Sequence, residues 1–191
     1  MSNAASIDHR LGGRIRALRA DRSLTLDALA ALAGVSRAML SRIERGDSSP
    51  TAQLLVKICG GLGITLSALF AAETPPSPLS RRAGQPTWRD PATGYVRRNV
   101  SPAGTGSSVD IAEVEFPPGA SVAFDNRRAA GTDQHVWVLD GTLELDVAGE
   151  ASRLETGDCL MMRFGQPVAF RNPTARPARY AVIISTGAAR T

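Results

Sequence analysis

Few side chains in this sequence are equipped for catalysis. It has two histidines, His9 and His135, and two cysteines, Cys59 and Cys159. Each pair is divided between the two halves of the chain. No serine or cysteine has a visible base partner. What the sequence does offer is charge and hydrogen bonding. Within Thr25 to Gly46, TLDALAALAGVSRAMLSRIERG, the side chains of Arg37, Ala38, Ser41 and Arg42 share one face at helical spacing. Arginine reaches guanine edges or phosphates, serine bonds to either, and short side chains permit close approach to a duplex. Thr25, Ser36, Arg45 and Thr51 complete the candidate DNA-binding set. The alternative for such a pattern is an ordinary solvated helix face.

Two short amphipathic helices must position these groups. Thr25 is placed to cap the first, with Asp27 in its opening turn, where a carboxylate suits the helix dipole. Leu26, Leu29, Ala30 and Ala33 recur at helical spacing. Gly34 stops that helix because glycine takes the left-handed conformation cheaply. Ser36 caps a second helix, Arg37 to Arg45, with Leu40 and Ile43 inward, and Gly46 ends it. A first helix is expected over residues 8 to 22, with Leu11, Ile15 and Leu18 inward and Arg10, Arg14, Arg16 and Arg22 outside. Two more are expected over Thr51 to Leu62 and Thr65 to Ala71. Thr51 would cap the first of these, where its hydroxyl and free amides suit a phosphate.

The stretch Leu11 to Phe70, LGGRIRALRADRSLTLDALAALAGVSRAMLSRIERGDSSPTAQLLVKICGGLGITLSALF, resembles the XRE family of DNA-binding domains. The basic first helix, the GVS turn, the SRIERG ending, Pro50-Thr51 and the GLGITLSALF close stand in the family's order and spacing. The resemblance implies an all-α, five-helix lambda-repressor-like domain, with Arg37 to Arg45 as recognition helix. It also implies an ion pair between Arg19 and Glu44. Leu26-Asp27 departs from the pattern, since many relatives carry a glutamine near the start of the second helix.

The 191 residues suffice for two small domains, and the +4 net charge suits a nucleic-acid partner without establishing one. The widely separated cysteines and the lack of a basic N-terminal region before an apolar core point to a reducing, cytoplasmic setting. Polar and glycine residues interrupt Leu54 to Ala72, which is therefore expected as core-facing helices, not a membrane span. Residues 8–72 form the first expected domain. Glu73 to Gln85, ETPPSPLSRRAGQ, reads as a proline-rich linker. Residues 86–191 form the second.

From Pro86 the period changes to short β-branched runs. Strands are expected at Gly94 to Val100, Ser108 to Phe116, Ala120 to Phe124, Gln134 to Leu139, Leu143 to Val147, Cys159 to Arg163, Val168 to Arg171 and Arg179 to Ser185. Asp140-Gly141 reads as a tight hairpin. The stretch QHVWVLDGTLELDVAGEASRLETGDCLMMRFGQPVAFRN resembles the cupin family, an all-β double-sheet barrel, within Ile111 to Ser185. Gly141, Gly157, Asp158, Gly165 and Asn172 match its scaffold positions. Metal-binding relatives use three histidines and a glutamate. Here those positions fall near Arg128 and Ala130, on Gln134 and on Val168, so no metal and no cofactor are expected. His135 faces the other side of its strand from Gln134, with Trp137 and Leu139.

A barrel of this type can enclose a ligand. Its expected lining is Phe124, Arg128, Gln134, Val136, Met162, Arg163, Val168 and Phe170, which would suit a small organic effector such as an amino acid or carboxylate. The competing picture is a barrel filled by its own side chains. The combined reading is a bacterial transcriptional regulator, expected as a repressor and not an enzyme. It would bind an operator in double-stranded DNA and form a homodimer through the cupin domain. The alternatives are a cupin isomerase or dioxygenase fused to a DNA-binding head, or a dimeric DNA-binding scaffold without an effector.

Overall fold

The computed structural model describes residues 3–70, 77–125, 132–163 and 165–185, with side chains from residue 8 onward. The chain divides into two compact units, Met1–Phe70 and Ala71–Thr191.

The first unit holds five helices: α1 (Asn3–Asp21), α2 (Leu26–Ala33), α3 (Arg37–Arg45), α4 (Ala52–Leu62) and α5 (Leu66–Leu69). Every helix from α2 to α5 is capped by a hydroxyl. Thr25, Ser36, Thr51 and Thr65 accept from the amides of Ala28, Met39, Leu54 and Ala68. Such caps satisfy amides that the helix itself leaves without partners. Gly34, Gly46 and Gly63 close α2, α3 and α4 in the left-handed conformation. The core joins Leu11, Ile15, Leu29, Leu40, Ile43, Leu55, Ile58 and Leu69, all buried. Helix α5 ends earlier than the expected Thr65 to Ala71: Phe70, its C-cap, still donates to the Leu66 carbonyl but has left helical dihedrals at φ −88° and ψ 2°, and Ala71 lies outside the described residues.

The second unit is all β. Its strands are β1 (Thr87–Arg89), β2 (Val96–Asn99), β3 (Val109–Phe116), β4 (Ser121–Asp125), β5 (Asp133–Asp140), β6 (Thr142–Val147), β7 (Glu150–Glu155), β8 (Cys159–Arg163), β9 (Pro167–Arg171) and β10 (Ala178–Ser185). They form one sheet ordered β1-β2-β3-β10-β5-β8 and another ordered β4-β9-β6-β7, antiparallel throughout. Before β1, residues Arg82–Gly84 make a 3-10 turn, and the Gln85 amide donates to the carbonyls of Ser80 and Val100.

Three local readings change. Strands β1 and β7 are absent from the sequence expectation. β1 is only three residues long, and β7 is an edge strand whose sole buried side chain is Leu154. Asp140-Gly141 is not a hairpin turn, because β5 and β6 belong to different sheets. The turn instead carries the chain across a barrel corner. Gly141 has φ 83°, and a side chain there would approach the Pro177 carbonyl. The true tight hairpin is β6–β7, where Ala148 and Gly149 both have positive φ and the Asp146 carboxylate accepts from the Gly149 amide at 2.8 Å.

Candidate nucleic-acid interface and barrel site

Packing of α1 against α3 sets the position of α3. Arg19 on α1 donates from Nε and Nη2 to the two carboxylate oxygens of Glu44 at 2.6 and 2.8 Å, and from Nη1 to the Leu24 carbonyl at 2.8 Å. The hydrogen bonds it donates to Glu44 hold the Arg19 guanidinium above its ordinary pKa. Gly12 lies against the last turn of α3, where an added Cβ would collide with the Ile43 carbonyl and lie 3.0 Å from that of Glu44. His9 covers Gly46 at the end of α3, and Ser49 donates to Asp8. The residues before α4 are thereby tied to α1.

This packing leaves one face of α3 in solvent. Ser36, Arg37, Ala38, Arg42 and Arg45 are exposed, and Ser41 is half-buried. Their internal contacts are not uniform. Among the described residues, the hydrogen-bond partner of the Arg42 side chain is the thioether of Met39, with Nη2 3.8 Å from Sδ. Arg45 donates to the Ser41 hydroxyl and to Asp47, both at 2.7 Å. Arg37 pairs through Nε with Asp27 on α2 at 3.1 Å. Thr25 is exposed at the start of α2 and Thr51 is half-buried at the start of α4, so their helix N-termini flank α3 in sequence. On α1, Arg22 is committed to the fold, donating to the carbonyls of Leu62 and Leu18 at 2.9 Å.

In the barrel, strand alternation sorts the expected lining. Gln134, Val136, Met162, Val168 and Phe170 point inward and are buried. Phe124 is half-buried, its ring edge-on to Phe170 at 5.9 Å. Arg163 follows inward-facing Met162 and is therefore exposed, paired in register with Asp133. Arg128 lies outside the described residues. Cross-strand rows on the inner wall run Arg97–Val114–Tyr180–Val138, then Asn99–Ala112–Val182–Val136–Leu160, then Asp110–Ile184–Gln134–Met162. Arg97 and Asn99 are buried polar residues of this wall that sequence reasoning passed over; the alternation of β2 carried the signal.

One end of the interior is filled by aromatic rings. Trp88, Tyr95, Phe116, Tyr180, Phe170 and Phe124 follow one another at centroid separations of 5.8–6.1 Å. Tyr180 and Phe170 stack across the two sheets, 16° from parallel. Burial pushes the phenols of Tyr95 and Tyr180 well above their ordinary pKa. Open space is found away from these rings. A groove of about 700 Å³ sits between the free edges of the two sheets, β7 and β8. Val147, Ser152, Leu160 and Met162 line it, with Glu150, Arg163 and Gln166 at its rim. Among the described residues, no three His, Cys, Asp or Glu side chains gather as a metal site, and no helix is long and apolar enough to cross a membrane.

A capped helical hairpin with a cationic exposed face, followed by a double-sheet barrel, defines a helix-turn-helix DNA-binding protein with a cupin domain. Family models agree: the helix-turn-helix model HTH_3 matches residues 15–69, and the Cupin_2 domain model matches residues 112–184. The HTH-type transcriptional regulator SutR of Escherichia coli (strain K12) is 32% identical over 149 residues, which is 78% of this chain and 79% of that one. The immunity repressor protein of Bacillus phage phi105 is 42% identical over 64 residues, 34% of this chain and 44% of that one. An HTH_3 family transcriptional regulator from Vibrio cholerae superposes with a TM-score of 0.80 at 26% identity, covering 96% of this chain and 98% of that one. The chain belongs to the XRE-type helix-turn-helix transcriptional regulators that carry a cupin domain.

Proposed function

We propose that this regulator is a homodimeric repressor. Helix α3 would read an operator, and the barrel would bind a small organic effector without catalysing a reaction. The single observation that carries the reading is the exposed Arg37–Ala38–Ser41–Arg42 face of α3, held by the Arg19–Glu44 pair. Base contact falls to Arg37, Ser41 and Arg42. Backbone contact falls to Thr25, Ser36, Arg45 and Thr51, at or near helix termini that favour phosphate. Two such heads on a two-fold axis would meet half-sites about one helical turn apart.

The groove between β7 and β8 supports an effector role. Its lining mixes apolar Val147, Leu160 and Met162 with the Ser152 hydroxyl, and its rim has a cation in Arg163, an anion in Glu150 and an amide in Gln166. That pattern suits an amino acid or a small carboxylate. The buried Gln134 beside Met162 would sense the occupant from within. Dimerisation is supported by the outer face of the six-stranded sheet, where Trp137 and Met161 are about half exposed (47% and 51%) around half-buried His135. A cytoplasmic location fits this role.

The test is a thermal-shift screen of the purified chain against amino acids and small carboxylates. Hits then enter a binding assay on a duplex that the protein selects from randomised DNA. A hit that changes duplex affinity supports the sensor reading. Hits without effect on DNA binding would separate the barrel from regulation.

A further inference from the structure

Asp27 is an acid on a surface built for a polyanion. Its carboxylate is 73% exposed in the first turn of α2, one residue beyond the N1 position set by the Thr25 cap. The helix dipole favours a carboxylate there, but a nearby phosphate does not. Its partner is Arg37, the first residue of α3, 63% exposed and ion-paired with its Nε 3.1 Å from the carboxylate. The pair bridges the two helices of the hairpin across the GVS turn. An ion pair this exposed contributes little to folding. Its effect is on the shape of the guanidinium. Arginine has five donors in a rigid fork. With Nε held beside Asp27, the two Nη groups are left for an outside acceptor.

We infer that Asp27 is a positioning residue for base recognition, holding Arg37 so that its Nη fork reads a guanine through O6 and N7. This rests on the DNA-contact reading of α3. It gives Asp27 a second consequence, since the carboxylate repels phosphates that a loose Arg37 would otherwise contact. Asp27 would therefore lower affinity for DNA in general while sharpening one base-pair preference. The contrast within the helix is informative. Arg42 has only a weak thioether contact and Arg45 is drawn to Asp47 and Ser41, so Arg37 alone among the three carries a partner from the preceding helix.

The experiment uses the full chain, a duplex selected from randomised DNA, and versions of that duplex changed at single base pairs. Wild type, Asp27→Ala, Asp27→Asn, Arg37→Ala and the double variant are compared by competition binding, with circular dichroism as a fold control. The inference predicts that Arg37→Ala and Asp27→Ala both relax the same guanine position, by about tenfold or more. It predicts that Asp27→Ala binds unrelated duplex DNA more tightly. In the Arg37→Ala background, Asp27→Ala should add no further loss of preference. Two results would overturn it: unchanged base preference in Asp27→Ala while Arg37→Ala relaxes a position, or relaxation by Asp27→Ala at a position Arg37 does not govern. No altered preference in Arg37→Ala would remove the DNA-contact reading itself.

Discussion

Arg19 and Glu44 face one another with both guanidinium donors on both carboxylate oxygens, and side-chain exposures of 15% and 5%. The pair joins the first helix to the last turn of α3. Removing one member leaves the other charge in a largely dry site. Glu44→Ala should therefore destabilise the helical unit by about 2–4 kcal/mol. Replacing both residues with apolar ones should cost less than the sum of the single changes. Denaturant titration followed by helical circular dichroism measures both.

The two adjacent glycines of α1 should respond in opposite directions. Gly12→Ala drives a methyl group into the Ile43 carbonyl, with backbone on that side and little freedom to yield. A loss of about 1–3 kcal/mol is expected. Gly13 has nothing within 4 Å of its would-be Cβ, so Gly13→Ala should stabilise the helix by about 0.5–1 kcal/mol. Opposite shifts in thermal midpoint would establish the α1–α3 contact in solution.

Asn172 is the keystone of the barrel's closed end. It is fully buried, and its amide donates to the carbonyls of Phe116, Pro117 and Arg176 at 3.2, 3.1 and 2.7 Å. Its own oxygen accepts from the amide and hydroxyl of Thr174. Asn172→Ala should cost about 2–4 kcal/mol by stranding these groups. Asn172→Asp should be at least as harmful, since it turns a carboxylate toward three carbonyl oxygens. Unfolding of the β signal by urea provides the measurement.

The two tyrosines of the chain report on the barrel interior under alkaline conditions. Both phenols keep their protons well above the ordinary value of about 10 because burial disfavours the phenolate. In the unfolded chain they ionise near 10. Above that pH the unfolded state holds fewer protons than the folded one, so stability falls as pH rises, by up to about 1.4 kcal/mol per pH unit for each tyrosine. Below pH 10 they contribute no pH dependence. The phenolate absorption band should appear together with loss of β structure, not before it.

The helical unit was legible because its signals are local. Thr25, Ser36, Gly34 and Gly46 mark boundaries through their own backbone chemistry, and the helices begin and end there. The barrel was legible as a class but not in detail. β7, EASRLE, is an edge strand with polar groups on both faces, so it lacks the alternation that reveals a strand. Asp140-Gly141 has the composition of a hairpin turn, but pairing partners are set by the whole barrel, and they lie in different sheets. Arg163 stands off the inner wall that Met162 joins, yet it lines the groove between β7 and β8. The Asp27–Arg37 pair was hidden because it depends on the crossing of two helices and not on spacing within either.

The central claim is that α3 reads DNA sequence, and selection from a randomised duplex pool with the full chain tests it most directly. The account predicts enrichment of a two-fold symmetric site with half-sites about one turn apart. Arg37→Ala and Arg42→Ala should each relax particular base pairs, costing about 1–3 kcal/mol at a read position, while the fold is retained. Failure to enrich any sequence, or the same site selected by wild type and both variants, would contradict it.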